Sequence, residues 1–137
     1  MLSSEKKTII IDFLKEKVSP ELIYIFGSYA KNSERNNSDI DIAFLSEKKV
    51  DEYNLFLLAQ KLAEKLRKEV DLVDIKKVST VFKVQIIQGE LIFNIDNYKK
   101  DNFELTTFRE YAKLNEERKE ILAKRWGDDW YAWWYLN

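Results

Sequence analysis

Apolar residues along this chain alternate between helical and strand periods in a regular order. Ile10, Phe13, Leu14 and Val18 recur on one face at helical spacing after Ser3 or Ser4, either of which can cap a first helix, and Ser19-Pro20 ends it. Leu22 to Phe26 is a short continuous apolar run that stops at Gly27, the pattern of a buried strand. A turn follows from Ser28, then a polar loop, Ser33 to Ser38, and then a second strand over Asp39 to Leu45. Leu55, Leu58, Leu62 and Leu66 mark an amphipathic helix from about Asp51 to Lys68. Val70 to Ile75 reads as a third strand. Val78, Phe82 and Ile86 read as a helix closed by Gly89 as its C-terminal cap, and Leu91 to Ile95 as a fourth strand. From Asp96 the period is helical again, with Phe108, Tyr111, Leu114, Ile121 and Leu122 as the apolar side. The order predicts an α/β fold: a compact mixed sheet of about four strands with flanking helices, in one domain of 137 residues with a C-terminal helix and a Trp-rich tail from about residue 97.

Composition narrows the chemistry. Hydrophobic residues make up 45% and aromatic residues 14%, enough for a core. The 23 basic and 24 acidic side chains leave a net charge of -1, which argues against a protein that grips nucleic acid through its phosphates. There is no Cys and no His. Thiol chemistry, His-dependent nucleophiles and most zinc sites are therefore excluded, and catalysis has to rest on carboxylates, hydroxyls, Lys or Arg. Carboxylates select hard cations such as Mg²⁺. The N-terminus does not read as a secretory signal and no apolar stretch has the length of a membrane span, so the expected location is the cytoplasm.

The informative segment runs from Gly27 to Asp41. Gly27-Ser28 stands where a strand ends and a helical turn begins, so the backbone can approach a ligand closely and its free N–H groups, with the Ser28 hydroxyl, can hold phosphate oxygens. By itself this dipeptide is an ordinary helix start. Asp39 and Asp41 are two apart on a strand and share a face, with Cβ atoms roughly 6–7 Å apart, a spacing that lets two carboxylates converge on a pair of metal ions. Acids are costly in a strand as apolar as Ile40 to Leu45 unless they are paired or metal-bound. Asp71 and Asp74 are the candidates for a third acid. They have opposite parity on a regular strand, so only one can face the other two.

Gly-Ser, ten residues, then Asp-x-Asp, with a downstream acidic strand, resembles the signature of the polymerase-β-like nucleotidyltransferases. The short form Gly-Ser-Tyr-Ala-Lys…Ser-Asp-Ile-Asp-Ile is similar to the minimal nucleotidyltransferases, or MNT proteins, over roughly residues 20 to 95. The resemblance implies an ATP-dependent transferase with two Mg²⁺ ions held by Asp39, Asp41 and a third acid. Asp71 is preferred there because the family's third acid comes early on its strand. It also implies that Gly27, Ser28 and Lys31 hold the triphosphate. MNT proteins are often encoded beside a HEPN-domain RNase toxin, and the resemblance implies an antitoxin that adds AMP to a tyrosine of that toxin. Two residues depart from the family pattern. Lys31-Asn32 stands where the family often has Arg-Gly: Lys31 keeps the charge without the guanidinium fork, and Asn32 tolerates a left-handed backbone.

Other features have plainer readings. Lys31 and Arg35 read equally as contacts to a triphosphate or a partner and as solvated loop charges. Lys65, Arg67 and Lys68 complement a helix C-terminus. Trp126, Trp130, Trp133 and Trp134 fall on one helical face, as a flap over the core or as a protein–protein anchor, with Gly127 as a break. Two further function classes remain: a module that masks a partner by contact alone, and a small-molecule transferase of the aminoglycoside type. The second ranks lower because no added helical domain is present to form an acceptor pocket.

Overall fold

The computed structural model of the chain describes residues 2–32 and 38–127. Helix α1 spans Ser4–Val18 and is capped by the Ser3 hydroxyl, which accepts from the Lys6 amide at 3.2 Å. Its four apolar positions Ile10, Phe13, Leu14 and Val18 are all buried, and Ser19 stops it in a left-handed conformation (φ 47°). Strand β1 (Leu22–Phe26) is buried throughout. Strand β2 is Ile40–Leu45, beginning one residue later than its expected start, so Asp39 lies just outside the ladder. Helix α2 (Glu52–Leu66) is capped by Asp51 and connects β2 to the parallel strand β3 (Val70–Asp74).

Asp74 closes β3 by turning its carboxylate onto the Lys76 amide at 3.1 Å, which starts a single 3₁₀ turn, Ile75–Lys77. The expected strand therefore ends one residue early. Val78 falls between this turn and helix α3 (Thr80–Ile87). Strand β4 (Glu90–Asn94) and helix α4 (Asn97–Trp126, capped by Asp96) complete the chain.

The four strands form one mixed sheet in the order β3-β2-β1-β4. Both neighbours of β1 run antiparallel to it, and β2 with β3 is the parallel pair. Because side chains alternate along a strand, the sheet splits the core in two. Ile23, Ile25, Ile40, Ile42, Phe44 and Leu72 face α1 and α2. Leu22, Tyr24, Phe26 and Ala43 face Phe82 and Ile86 of α3 and Phe103 of α4. Tyr24, 1% exposed, donates its hydroxyl to Glu104 at 2.8 Å and ties α4 to the sheet. Its own burial, then the hydrogen bond and charge of Glu104, keep that phenol protonated well above the usual range.

One expectation changes. Gly89 is not the cap of α3: the capping residue is Gln88 in a right-handed conformation, and Gly89 has no positive φ. The glycine is required by contact, since a Cβ there would run into the Ile25 carbonyl and the Phe26 Cα. The apolar side of α4 is largely exposed. Phe108 is 45%, Leu114 39% and Ile121 65% exposed, because the helix extends past the end of the sheet that its first turns cover. It ends at Trp126, with Gly127 in a positive-φ cap (φ 67°). Glu34, Arg35, Trp130, Trp133 and Trp134 lie outside the described residues, so no reading of them is tested. Among the described residues, no helix is long and apolar enough to cross a membrane.

The Gly89 contact gives a direct check. Gly89→Ala is expected to destabilise the fold by about 1–3 kcal/mol, because backbone cannot move aside as a flexible side chain does. A chemical denaturation midpoint unchanged from wild type would show that the close approach carries no cost.

Candidate active site

The ladder places the acids. Asp41 on β2 stands directly opposite Asp71 on the parallel strand β3, and opposite Phe26 on the antiparallel strand β1. Residues paired across a ladder project to the same face, so Asp41, Asp71 and Phe26 share the side covered by α3 and α4. Asp39, two residues before Asp41, approaches from the entry to β2. Asp41 is half-buried, whereas Asp39 and Asp71 are exposed at the strand ends.

Asp74 pairs with Phe44 and points to the other side of the sheet, where it is 2% exposed. One of its oxygens caps the 3₁₀ turn. The other is buried with no hydrogen bond, 4.0 Å from the Lys76 ammonium. The parity argument is thus resolved by register: Asp71 joins Asp39 and Asp41, and Asp74 is a structural cap.

The three grouped acids act on one another. Asp41 is pushed from the ordinary 3.8 up to about 6, by burial first, then by the charge of Asp71 and that of Asp39. As the side chains stand, no three acidic groups among the described residues close into a cation cage. An all-carboxylate oxygen donor set of this charge suits a hard divalent cation such as Mg²⁺, the counter-charge that lets all three ionise together. Zinc-type nitrogen and sulfur donors are absent from the whole chain.

Gly27 completes the site. It follows β1 with φ 70°, and a Cβ on it would collide with the Oδ2 of Asp41. The turn that carries Ser28 can therefore lie directly against the catalytic-candidate carboxylate only if residue 27 has no side chain. The turn is held by the Lys31 amide bonding back to the Gly27 carbonyl at 3.3 Å, and it ends with Asn32 at φ 55°, the left-handed conformation read from its sequence. Lys31 is exposed beside it. Tyr29 is buried under the turn, and the Lys68 ammonium sits 5.9 Å from the centre of its ring. Lys68 is thus more than a helix-end charge, while Arg67 is the left-handed cap of α2. Sequence reading missed this cation–π contact because nothing local links positions 29 and 68. It also missed a cavity beside the turn, lined by Phe26, Lys31, Phe82, Gln85 and Gln88.

With this geometry in place, comparison with known proteins is informative. Residues 8–98 match the polymerase beta nucleotidyltransferase family. The chain is 38% identical over 115 residues to the protein adenylyltransferase MntA of Shewanella oneidensis, covering 82% of each. Its fold is similar to a chain of a toxin–antitoxin crystal structure with AMP-PNP (TM-score 0.78, 37% identity, 86% of this chain and 96% of that one). A second similar structure is that of a tri-AMPylated Shewanella oneidensis HEPN toxin in complex with its MNT antitoxin (TM-score 0.75, 34% identity, 90% of this chain and 98% of that one).

The raised Asp41 pKa has a stability consequence with a definite sign. The native state binds this proton more tightly than the unfolded chain does. The resulting stabilisation is fully present below about pH 4 and is lost as pH rises through about 6. In chelator, Asp41→Asn is therefore expected to match wild type near pH 4 and to exceed it above pH 6, by roughly 1–2 kcal/mol once solvent screening at a half-buried position is allowed for. Thermal melts across that range check it, and a variant less stable than wild type at pH 7 would contradict the repulsion.

Proposed function

The chain belongs to the polymerase beta nucleotidyltransferase family, and on that premise we propose that it is a Mg²⁺-dependent protein adenylyltransferase that moves AMP from ATP to a tyrosine hydroxyl of a HEPN-type toxin and so neutralises it. The observation that carries this reading is the in-register pairing of Asp41 with Asp71, with Gly27 pressed against the same carboxylate. The family relationship and the MntA similarity supply the reaction class and the partner.

In this reading Asp39, Asp41 and Asp71 hold the divalent cations. When bound, the cations neutralise the triphosphate and make the α-phosphorus more electrophilic. Gly27 and Ser28 cradle the β- and γ-phosphates through turn N–H groups and the hydroxyl, and exposed Lys31 adds a positive charge. The acceptor hydroxyl oxygen forms a bond to the α-phosphorus in line with the leaving group. The bond from that phosphorus to the bridging oxygen breaks, pyrophosphate departs, and the hydroxyl proton passes to Asp71. The work done by the protein is placement and charge compensation. The cysteine-free composition accords with a cytoplasmic setting.

A second reading, masking of the partner by contact alone, draws on the exposed apolar side chains of α4, Leu114 and Ile121. Substitution of the acids separates the two. With labelled ATP, Mg²⁺ and the HEPN-type partner, Asp41→Asn and Asp71→Asn are each expected to cut transfer by at least about 100-fold, the scale of losing one preorganised charge-stabilising group. Asp74→Asn should retain transfer. Neutralisation of the partner by a transfer-dead Asp41→Asn chain would favour masking, and activity lost at Asp74 but kept at Asp71 would reverse the assignment of the third acid. In parallel, Mg²⁺ at about 100 times its dissociation constant should stabilise wild type by about 2.7 kcal/mol and Asp41→Asn by much less.

A further inference from the structure

The turn after β1 leans on the end of α2 as well as on Asp41. Tyr29 follows Ser28, is 7% exposed, and joins the core on the α1/α2 side of the sheet with Ile40, Ile42, Leu66 and Leu72. Half-buried Lys68 lies over that ring, its ammonium 5.9 Å from the centre, within the range of a cation–π contact. The place of Lys68 is itself fixed. Helix α2 ends with Arg67 in a left-handed conformation (φ 56°), and the amides of Arg67 and Lys68 both bond back to the Ala63 carbonyl. The next carbonyl, that of Glu69, accepts from the Ile40 amide at 2.9 Å, between Asp39 and Asp41. Two residues further on, β3 carries Asp71. The segment from Arg67 to Asp71 therefore meets the turn, then the entry to β2, and then supplies the third acid.

We propose that Lys68 is a positioning residue for the triphosphate, acting through the Tyr29 ring to fix the Ser28 turn relative to Asp39, Asp41 and Asp71. The inference rests on the transferase reading above, which puts the triphosphate on Gly27-Ser28. The turn needs such an anchor. Gly27 brings no side chain to pack against Asp41, and the bond that closes the turn, from the Lys31 amide to the Gly27 carbonyl, is long at 3.3 Å. Packing of Tyr29 supplies the opposite support, and a cation on the ring face ties that support to α2. Because Tyr29 is next to Ser28, movement of the ring carries the Ser28 hydroxyl and the turn amides with it. A site of this kind tolerates only about 0.5 Å of misplacement. The contact thus holds the phosphate side of the site in register with the acidic side, through a helix end that both share.

Binding of inorganic tripolyphosphate and of AMP-PNP, each with Mg²⁺, tests this without requiring transfer. The proteins are wild type, Lys68→Met, Lys68→Arg, Tyr29→Phe, and a chain with trifluorophenylalanine incorporated at Tyr29. Fluorination keeps the shape of the ring and removes the negative potential from its face, so the core stays filled. Lys68→Met and the fluorinated chain should each weaken both ligands by about three- to tenfold. Combined, they should weaken binding no further than either alone. Lys68→Arg and Tyr29→Phe should stay near wild type, because a guanidinium also stacks on an aromatic face and Phe keeps that face. In ATP kinetics with the HEPN-type partner, Lys68→Met should raise KM by the same factor and leave kcat within about twofold. The proposal is overturned if Lys68→Met lowers the melting temperature but leaves both affinities unchanged, which would make the contact purely structural. It is also overturned if the fluorinated chain binds as Tyr29→Phe does, which would make Lys68 a direct phosphate contact, or if wild type binds neither ligand. These binding effects in a chain that transfers nothing to its partner would support the contact and count against the transferase reading. Normal transfer with wild-type affinities in every variant would do the reverse.

Discussion

Electrostatic repulsion among Asp39, Asp41 and Asp71 is the constraint around which the rest of this structure is arranged. Pairing β2 with β3 in parallel puts two carboxylates opposite each other, and a third stands two residues away. The least exposed of them, Asp41, is half-buried, and its pKa of about 6 records the penalty. An arrangement that costs stability persists only where the surrounding structure over-determines it. Here that structure is a sheet whose central strands β1 and β2 carry nine buried side chains, among them Ile23, Ile25, Ile42 and Phe44.

The same logic explains the local backbone. The turn after β1 approaches Asp41 so closely that only glycine fits, and the turn is then fixed from beneath by Tyr29 and from its far end by Asn32. Helix α3 seals the apolar half of that face with Phe82 and Ile86 and leaves its glutamines at the rim. Each element near the acids thus has two roles, one in the core and one toward the space where a nucleotide would lie. Helix α4 differs. Its first turns are anchored through Tyr24–Glu104 and Phe103, and beyond them it carries apolar side chains past the sheet.

Most secondary structure was legible from period and caps. The four apolar positions of α1, the apolar run of β1, and the Ser3, Asp51 and Asp96 caps follow from local chemistry that tertiary contacts reinforce. Boundaries moved by one residue where a side chain ended an element, as Asp74 ends β3. The failures were all non-local. Gly89 read as a cap because glycine usually ends helices, whereas its reason is a backbone approach from β1, distant in sequence. The apolar side of α4 was legible as a face, but period does not report whether anything lies against it.

For the site, the sequence by itself determined the chemistry: oxygen donors only, two acids on one face of a strand, a glycine-serine turn before them, and two rival third acids. The family resemblance favoured Asp71, but strand parity alone could not choose between Asp71 and Asp74, because it says that they face opposite ways and not which way is inward. Only the register of β3 on β2 decided that, since one residue of slip would have exchanged them. Tertiary structure also brought α3 across from the Gly27 turn and so created the cavity between them, because a cavity belongs to two walls and neither wall's sequence describes the space it shares with the other.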